Sequence, residues 1–253
     1  MRSTARWACL VGLVLAGCKD ENAAENPFLA PGEAIQGMAC EDLIADWGQW
    51  AVHRARENPE YCVPGPTDDL WLAAGEPGAG THAYACTVPS GVTLFVPMFF
   101  GFVFSCPEVG GPEECQFATD AGLLAYIESF EAETVTQEVA LDGVAPEAPA
   151  NDYLCRGVPF DLDHDPANPS RLWFPQDYAG PGLPPADFDC TTPWEETNAC
   201  DAPAGPRRVQ MSGYFYAVGP LAPGQHILHL TGCMGAENPQ CLDNTWTITV
   251  EAP

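Results

Sequence analysis

Twelve cysteines in a chain of 253 residues constrain the fold more than any other feature of this sequence. No two of them stand in a Cys-x-x-Cys pair or at another short spacing of the kind that chelates zinc. Zinc ligation is therefore disfavoured. If the protein is exported to an oxidising compartment, these cysteines are expected to form disulfides that stabilise long loops.

The N-terminus has the organisation of a bacterial lipoprotein signal peptide. Arg2 and Arg6 precede a short apolar run, and Leu15-Ala16-Gly17-Cys18 matches a lipobox, at which the leader is cut and the cysteine acylated. The run is shorter than the roughly 20 residues that a membrane-spanning helix needs. Residues 1–17 are predicted to be the signal peptide, and Cys18 the site of lipidation, for example by palmitate. An ordinary signal peptide, or a buried apolar segment with a chance cysteine, is the alternative.

The residue after the lipobox bears on the location. Lys19 follows Cys18, where a lipoprotein retained in the inner membrane usually has Asp. We therefore expect the protein in the cell envelope, lipid-anchored at the outer membrane of a Gram-negative bacterium.

Loss of Cys9 with the leader and acylation of Cys18 would leave ten cysteines, an even number that permits up to five disulfides. Six of the ten are close to a partner in sequence and are candidates for local disulfides: Cys106 with Cys115, Cys190 with Cys200, and Cys233 with Cys241. Spacing alone does not pair the other four, which are Cys40, Cys62, Cys86 and Cys155.

The charge balance excludes some partners. The chain has 35 acidic and nine basic residues, a net charge of −26 at neutral pH. Such a surface repels nucleic acid and anionic lipid headgroups. The acidity is interpreted as a source of solubility or an adaptation to salt, with cation binding as the alternative. We expect a monomer.

Composition divides the mature chain into a tether and one domain. Residues 18–38 are rich in Ala, Glu, Asn, Pro and Gly, which predicts a flexible tether before a domain over residues 39–253. Between Cys40 and Asn58, apolar residues at helical spacing predict an amphipathic helix whose Trp47 and Trp50 face the core. A second helix is predicted over residues 119–130, with Thr119 as its N-cap.

The remaining patterns predict strands. The segment from Val92 to Phe104 is rich in β-branched and aromatic residues, but Pro97 and Gly101 indicate an edge strand or a bent one. Further strands are predicted over residues 134–141, before an Asp142-Gly143 turn, and over 212–218, 226–231 and 245–250; residues 143–209 are expected to form long loops around two or three short strands. The fold class is mainly β: a β-sandwich, jelly-roll or immunoglobulin-like, with one or two peripheral helices and disulfide-stapled loops.

Several segments resemble a family of secreted bacterial β-sandwich proteins of uncharacterised function. They are WGQWAVHRARENPEYC, GPTDDLWLAAG, YACTVPSGVTLFVP, SGYFYAVGPLAPGQHILHLTG and NTWTITV, spread over residues 47 to 250. The resemblance implies the fold and no activity. It also implies that Cys62 pairs with Cys86, which leaves Cys40 and Cys155 for each other.

One acidic segment has the composition of a calcium loop. In DLDHDPANPS, Asp161, Asp163, Asp165 and Asn168 could direct hard oxygen ligands at one Ca²⁺. An EF-hand is excluded, because Pro166 stands where that loop needs Gly and Leu172 where it needs Glu. A solvated acidic loop without metal is the alternative.

The histidines do not predict a metal pair. His226 and His229 are three residues apart on a predicted strand, so they point to opposite faces and cannot bind one ion together. Hydrolase motifs are missing as well: the sequence contains no Gly-x-Ser-x-Gly elbow and no His-Glu-x-x-His helix.

Recognition of a ligand by loop aromatics is the remaining hypothesis. Trp173, Tyr178 and Trp194 lie in a loop-rich region where their rings could stack on a glycan or a protein partner. We therefore expect a non-enzymatic binding module without a cofactor, apart from the calcium considered above. A structural envelope protein without a small ligand, and a hydrolase, are the alternatives. A binding module should have an aromatic and polar pocket, and a structural protein should have none.

Overall fold

The computed structural model describes residues 26–52, 60–75, 79–104, 119–132, 135–164, 205–235 and 239–253. Two α-helices and ten strands occur in these ranges. The helices are α1 (Cys40–Val52) and α2 (Asp120–Glu131). The strands are β1 (Cys62–Pro64), β2 (Leu70–Ala73), β3 (Gly80–Val88), β4 (Thr93–Phe104), β5 (Val135–Leu141), β6 (Leu154–Arg156), β7 (Phe160–His164), β8 (Gly205–Val218), β9 (Gly224–Met234) and β10 (Gln240–Val250).

The strands form a β-sandwich, as the sequence predicts. One sheet has the order β1-β2-β4-β8-β6, with β7 also paired to β8, and the other has the order β3-β10-β9-β5. Strand β10 shows the alternation expected of a strand with one buried face: Trp246, Ile248 and Val250 are buried, and the threonines between them are not. The inner faces of the two sheets form the main core.

The sequence leaves two interpretations of strand β4, an edge strand or a bent strand, and the structure shows a bent strand. It lies between β2 and β8, and its register against β8 shifts between Pro97 and Phe100. Its ladder with β2 ends at the pair Leu72 and Phe95. Pro97 therefore lies beyond the last residue that pairs with β2, where a missing N–H removes no bond from that ladder.

Helix α1 contributes a second core on the outer face of the six-stranded sheet. Leu43, Ile44 and Trp47 are fully buried there, and Trp47 makes edge contacts with Phe100 and Phe215 at centroid distances of 4.9 and 5.3 Å. The Trp47 indole N–H donates to the Ala73 carbonyl at 2.8 Å. The helix is thus a structural layer of the domain, whereas Trp50 is only half-buried.

The prediction of a flexible tether over residues 18–38 is wrong for its C-terminal part. Phe28 is buried and bridges Val218, and the Leu29 N–H donates to the Ala217 carbonyl at 3.0 Å. Ile35 is 6% exposed. Composition suggested a tether because the segment lacks periodicity, but a few apolar side chains and backbone hydrogen bonds suffice to hold it on the sandwich.

Helix α2 and the turn after β5 match their predictions. The Thr119 hydroxyl accepts a hydrogen bond from the Gly122 N–H at 3.2 Å, so Thr119 is the N-cap of α2. Asp142 and Gly143 both have positive φ, 51° and 81°, which is the conformation of a two-residue hairpin turn.

Three disulfides connect described residues, and all three are among the expected pairs. They are Cys40–Cys155, Cys62–Cys86 and Cys233–Cys241. The first joins the start of α1 to β6, and the last closes the end of the β9–β10 hairpin. Cys18, Cys106, Cys115, Cys190 and Cys200 lie outside the described residues.

Candidate functional site

A cavity of about 220 Å³ lies at one end of the sandwich, where β2 has ended and β4 bends. We call it the Trp246 cavity. Its lining comes from α1, the end of β2, the bend of β4 and the facing ends of β9 and β10. The lining residues are Trp47, Ala74, Gly75, Ala79, Pro97, Met98, Phe99, Phe100, Met234, Gln240, Leu242, Asn244 and Trp246.

Two buried polar atoms of this cavity have no hydrogen-bond partner. They are Oδ1 of Asn244, whose residue is 9% exposed, and Nε1 of Trp246, whose residue is 1% exposed. One is an acceptor and the other a donor. A buried polar atom without a partner costs about 1–3 kcal/mol, so most buried polar atoms in native proteins are paired. Of the buried, unpartnered side-chain atoms in the described part of the chain, these two belong to residues that line this cavity.

The alternation of β10 directs both side chains into the cavity. Asn244 and Trp246 are two residues apart, hence on the same face, and both are buried between residues that are more exposed. Their Cα atoms are separated by about 6.6 Å at the rise of a strand. Both residues therefore line the cavity, whereas the two unpartnered atoms themselves are buried within the wall.

Aromatic packing holds the Trp246 ring in place. Its centroid lies 4.6 Å from that of Tyr84, which in turn is 4.9 Å from Tyr61. Gly75 closes this cluster at the cavity edge, since a Cβ there would fall 2.7 Å from the Tyr84 hydroxyl oxygen. The Trp246 ring is therefore held rigidly in the cavity wall.

The described lining of the cavity is uncharged. None of the described residues that line it carries an ionisable side chain, although the protein as a whole has a net charge of −26. These residues therefore offer an ion no counter-charge, and burying an unpaired ion is costly.

A second cavity of about 140 Å³ lies between the N-terminal segment and the Cys40–Cys155 disulfide. Glu33, Glu41 and Asp152 are at its rim and are exposed. None of the buried, unpartnered side-chain atoms of the described residues belongs to it. It therefore has no feature that indicates a ligand.

The two histidines of β9 face opposite sides, as the sequence predicts. His226 shares the inner side with Leu228 and Leu230; its Nδ1 is 2.7 Å from Asp142 Oδ2 and its Nε2 is 2.8 Å from the Ala222 carbonyl. His229 lies on the outer face, where its Nε2 is 2.8 Å from Asp243 Oδ1. Each histidine has its own carboxylate partner.

The proposed calcium ligands lie only partly within the described residues. Asp161 and Asp163 are on β7, and the exposed Asp161 carboxylate is 3.4 Å from an Arg208 guanidinium nitrogen. Asp165 and Asn168 lie outside the described ranges. In the parts of the chain that the structure describes, no three His, Cys, Asp or Glu side chains are grouped as for a metal ion. The calcium site stays a prediction.

The loop aromatics Trp173, Tyr178 and Trp194 also lie outside the described residues. The aromatic residues that line the cavity are Trp47, which was predicted to face the core, and Phe99, Phe100 and Trp246, for which the sequence predicts a place on strands and no functional role. Asn244 is the residue from which the sequence could have indicated this cavity. Side chains of a strand alternate between its two faces, so Asn244 shares the buried face of Trp246 and Ile248, where an amide is unusual.

The carboxyl groups of Glu131 and Asp142 are ionised more readily than usual. Burial favours the protonated form of Glu131, but hydrogen bonds from Arg156 and Ser212 outweigh it and lower its pKa below 4.5. Burial of Asp142 is likewise outweighed by bonds from the Ile227 N–H and His226, so its pKa is below 3.8. A general acid would need the opposite direction.

No family model, curated protein or solved structure matches this chain. None of the described helices combines the length and hydropathy of a membrane span. Function is therefore argued from the cavity.

The Asp142–His226 pair predicts a pH dependence of stability. Burial lowers the pKa of His226, but the bonds to the Ala222 carbonyl and Asp142 outweigh this and raise it above 6.5. The contribution of His226 to the free energy of unfolding is thus complete below pH 6.5 and is lost as the pH rises through the raised pKa. The contribution of Asp142 is present above pH 3.8 and is lost as the pH falls through its lowered pKa.

We expect His226→Ala to lower the free energy of unfolding more at about pH 5.5 than at about pH 8.5, as measured by denaturant titration. His229→Ala, which changes a half-exposed histidine on the same strand, is the control and should have a small effect at both values. An equal loss for His226→Ala at both pH values would contradict the assignment.

Proposed function

We propose that this protein is an envelope lipoprotein whose β-sandwich domain binds a small organic ligand in the Trp246 cavity, without catalysing a reaction. The observation that carries the proposal is an aromatic cavity whose described lining includes Asn244 and Trp246, two residues that each have a buried side-chain atom without a partner. A structural envelope protein has no use for such a wall, because an apolar side chain in place of Asn244 would avoid the cost of desolvating the amide.

A hydrolase is less well supported. Glu131 and Asp142 have lowered pKa values, and the hydroxyl of the fully buried Ser212 donates to Glu131 at 2.6 Å. These groups stabilise the fold. Among the described residues that line the Trp246 cavity there is neither a carboxylate nor a histidine.

The lipid anchor and the cavity would lie at opposite ends of the domain. The N-terminal segment contacts the end of the sandwich formed by Val218 and Gly219. Val250 lies at the same end. It pairs with Gly224 at the start of β9, and the turn between β8 and β9 brings Gly224 close to Val218. Along β10 the cavity residue Leu242 is eight residues from Val250, or about 26 Å.

The acylated Cys18 would be eight residues from Asn26. Even a fully extended chain of that length spans at most about 29 Å. The proposed anchor therefore keeps the Val218 end near the membrane, and the cavity is at the other end. A ligand would arrive from the aqueous side of the envelope.

The anchor is tested by expressing the full chain with labelled palmitate. We expect the label to appear in the protein and the protein to be in the membrane fraction, and Cys18→Ser to abolish both. Cys9→Ser is the matched control, since that residue is removed with the leader, and it should label normally. An unlabelled wild-type protein would refute the anchor.

The ligand site is tested by thermal denaturation of the purified full-length protein against a library of small organic molecules and a panel of glycans. We expect some compounds to raise the midpoint, because a ligand that binds only the folded state stabilises it. The shift should be lost in Asn244→Leu and Trp246→Phe. It should persist in Thr247→Val, which changes the outer face of the same strand.

Two results would contradict the ligand site. One is that no compound raises the midpoint of the wild-type protein. The other is that every active compound acts equally on the wild-type protein and on both cavity variants, which would place the binding elsewhere.

A further inference from the structure

One of the three described disulfides is more exposed than the other two. Cys241 is exposed and Cys233 is half-buried, whereas each of the other two disulfides contains a buried cysteine, Cys155 in one and Cys86 in the other. We propose that Cys233–Cys241 is a site of thiol–disulfide exchange, which a thiol of low negative charge opens while the domain stays folded. This site is separate from the proposed ligand cavity and does not depend on it.

The Cys233–Cys241 disulfide lies on the outer face of the four-stranded sheet. The two cysteines are directly opposite each other in the ladder of β9 with β10, and Cys241 is next to the buried Leu242. Side chains alternate between the two faces of a strand, so both cysteines point away from the core. An attacking thiolate therefore reaches the exposed Cys241 from the solvent.

Contacts other than the disulfide also hold this end of the hairpin. The pairing of β9 with β10 continues past the cysteines to Met234 and Gln240. On its other side β9 pairs with β5, where the Cys233 N–H donates to the Thr136 hydroxyl at 3.3 Å. Breaking the S–S bond removes none of these contacts, so the strands can keep their register after reduction.

The other two disulfides connect more distant parts of the chain. Cys40–Cys155 has a sequence separation of 115 and joins α1 to β6. Cys62–Cys86 has a separation of 24 and joins a strand of one sheet to a strand of the other. The separation of Cys233–Cys241 is 8. Because the entropy of loop closure grows with loop length, this disulfide stabilises the fold least of the three.

The exchange uses two thiol groups as its reductant. A thiolate attacks Cys241 Sγ, the S–S bond breaks, and Cys233 leaves as a thiolate that takes a proton from water. A second thiolate then attacks the reagent sulfur of the mixed disulfide and releases Cys241. Two reagent thiols are oxidised to a disulfide, and the two cysteines are reduced. Because the ladder keeps the cysteines opposite each other, the same steps in reverse close the bond again.

Two carboxylates beside the disulfide favour reagents of low negative charge. Asp243 and Glu138 both pair with Thr231, which is two residues from Cys233 on the same face of the sheet. Asp243 also contacts His229 at 2.8 Å. Two residues along a strand span about 6.6 Å, a distance at which carboxylates repel a thiolate that has further negative charge. The net charge of −26 acts in the same direction.

Stepwise reduction of the purified full-length protein tests the exchange site. The protein is incubated with dithiothreitol without denaturant, free thiols are alkylated at intervals, and peptide mass mapping identifies the cysteines that have opened. Among the three described disulfides we expect Cys233–Cys241 to open at least about tenfold faster than the other two, because a thiolate needs access to the sulfur that it attacks. Circular dichroism should show that the protein with this disulfide open is still folded.

The double variant Cys233→Ser, Cys241→Ser is the matched control. It should fold, and the other two described disulfides should open in it as slowly as in the wild-type protein. Three results would overturn the inference: another of the three disulfides opens first, none of the three opens without denaturant, or the folded signal is lost as Cys233–Cys241 opens. The measurements on the wild-type protein decide this even if the double variant does not fold.

Three monothiols test the preference for charge. Cysteamine has an added positive charge, 2-mercaptoethanol has none, and thioglycolate has an added negative charge. Each rate of opening is divided by the rate of the same thiol with the disulfide of 2-mercaptoethanol, which removes differences in nucleophilicity. We expect cysteamine to be at least about fivefold faster than thioglycolate at low ionic strength, with 2-mercaptoethanol between them, and the ratio to fall to within about twofold in about 1 M NaCl.

Asp243→Asn should reduce the ratio of cysteamine to thioglycolate, because it removes one of the two carboxylates beside the disulfide. Glu251→Gln is its matched control: it removes an exposed carboxylate just beyond the far end of β10, and it should leave the ratio unchanged. Equal rates for the three thiols, a faster reaction of thioglycolate, or equal effects of the two variants would overturn the assigned charge preference.

Discussion

The pairing of β4 with β8 is the interaction on which the rest of the structure depends. These two strands run side by side through the middle of the six-stranded sheet, and both of their faces are covered. Val96 and Tyr216 face the other sheet, whereas Phe95 and Phe215 stack at 4.9 Å under α1. The N-terminal segment, α1 and α2 are all organised around this pair. Helix α1 therefore forms a third layer on the outer face of the six-stranded sheet.

The cavity is a consequence of that bend. Beyond Phe95, β4 has β8 on one side and no longer pairs with β2 on the other. The space so left is bordered by aromatic rings, and it could have been closed by an apolar side chain on β10. The chain has Asn244 there. Two buried polar atoms without a partner are a cost to stability in the wall of this cavity.

Much of this architecture could be predicted from the sequence, because local patterns determine it. Alternation along β10, the Asp142-Gly143 turn and the Thr119 cap are all visible in a few neighbouring residues. The parallel pairing of β3 with β10 joins residues more than 150 positions apart, and no local pattern shows it. The packing of Phe28 and Ile35 on the sandwich likewise depends on partners distant in sequence. The candidate site residues that the sequence suggests lie mostly in loops outside the described ranges. The cavity could not be predicted, since a buried Trp has the same sequence pattern whether or not its N–H is paired.

The central claim is that the fold keeps an unpaired amide at Asn244 for a ligand and is less stable for it. The free energy of unfolding of Asn244→Leu, measured without ligand by denaturant titration, tests this most directly. The account predicts that the variant is more stable than the wild-type protein by about 1–3 kcal/mol. Ser212→Ala is the control: it removes a buried hydroxyl that is hydrogen-bonded to Glu131, and it should lower stability by about 1 kcal/mol. A loss of stability in Asn244→Leu similar to that in Ser212→Ala would contradict the account.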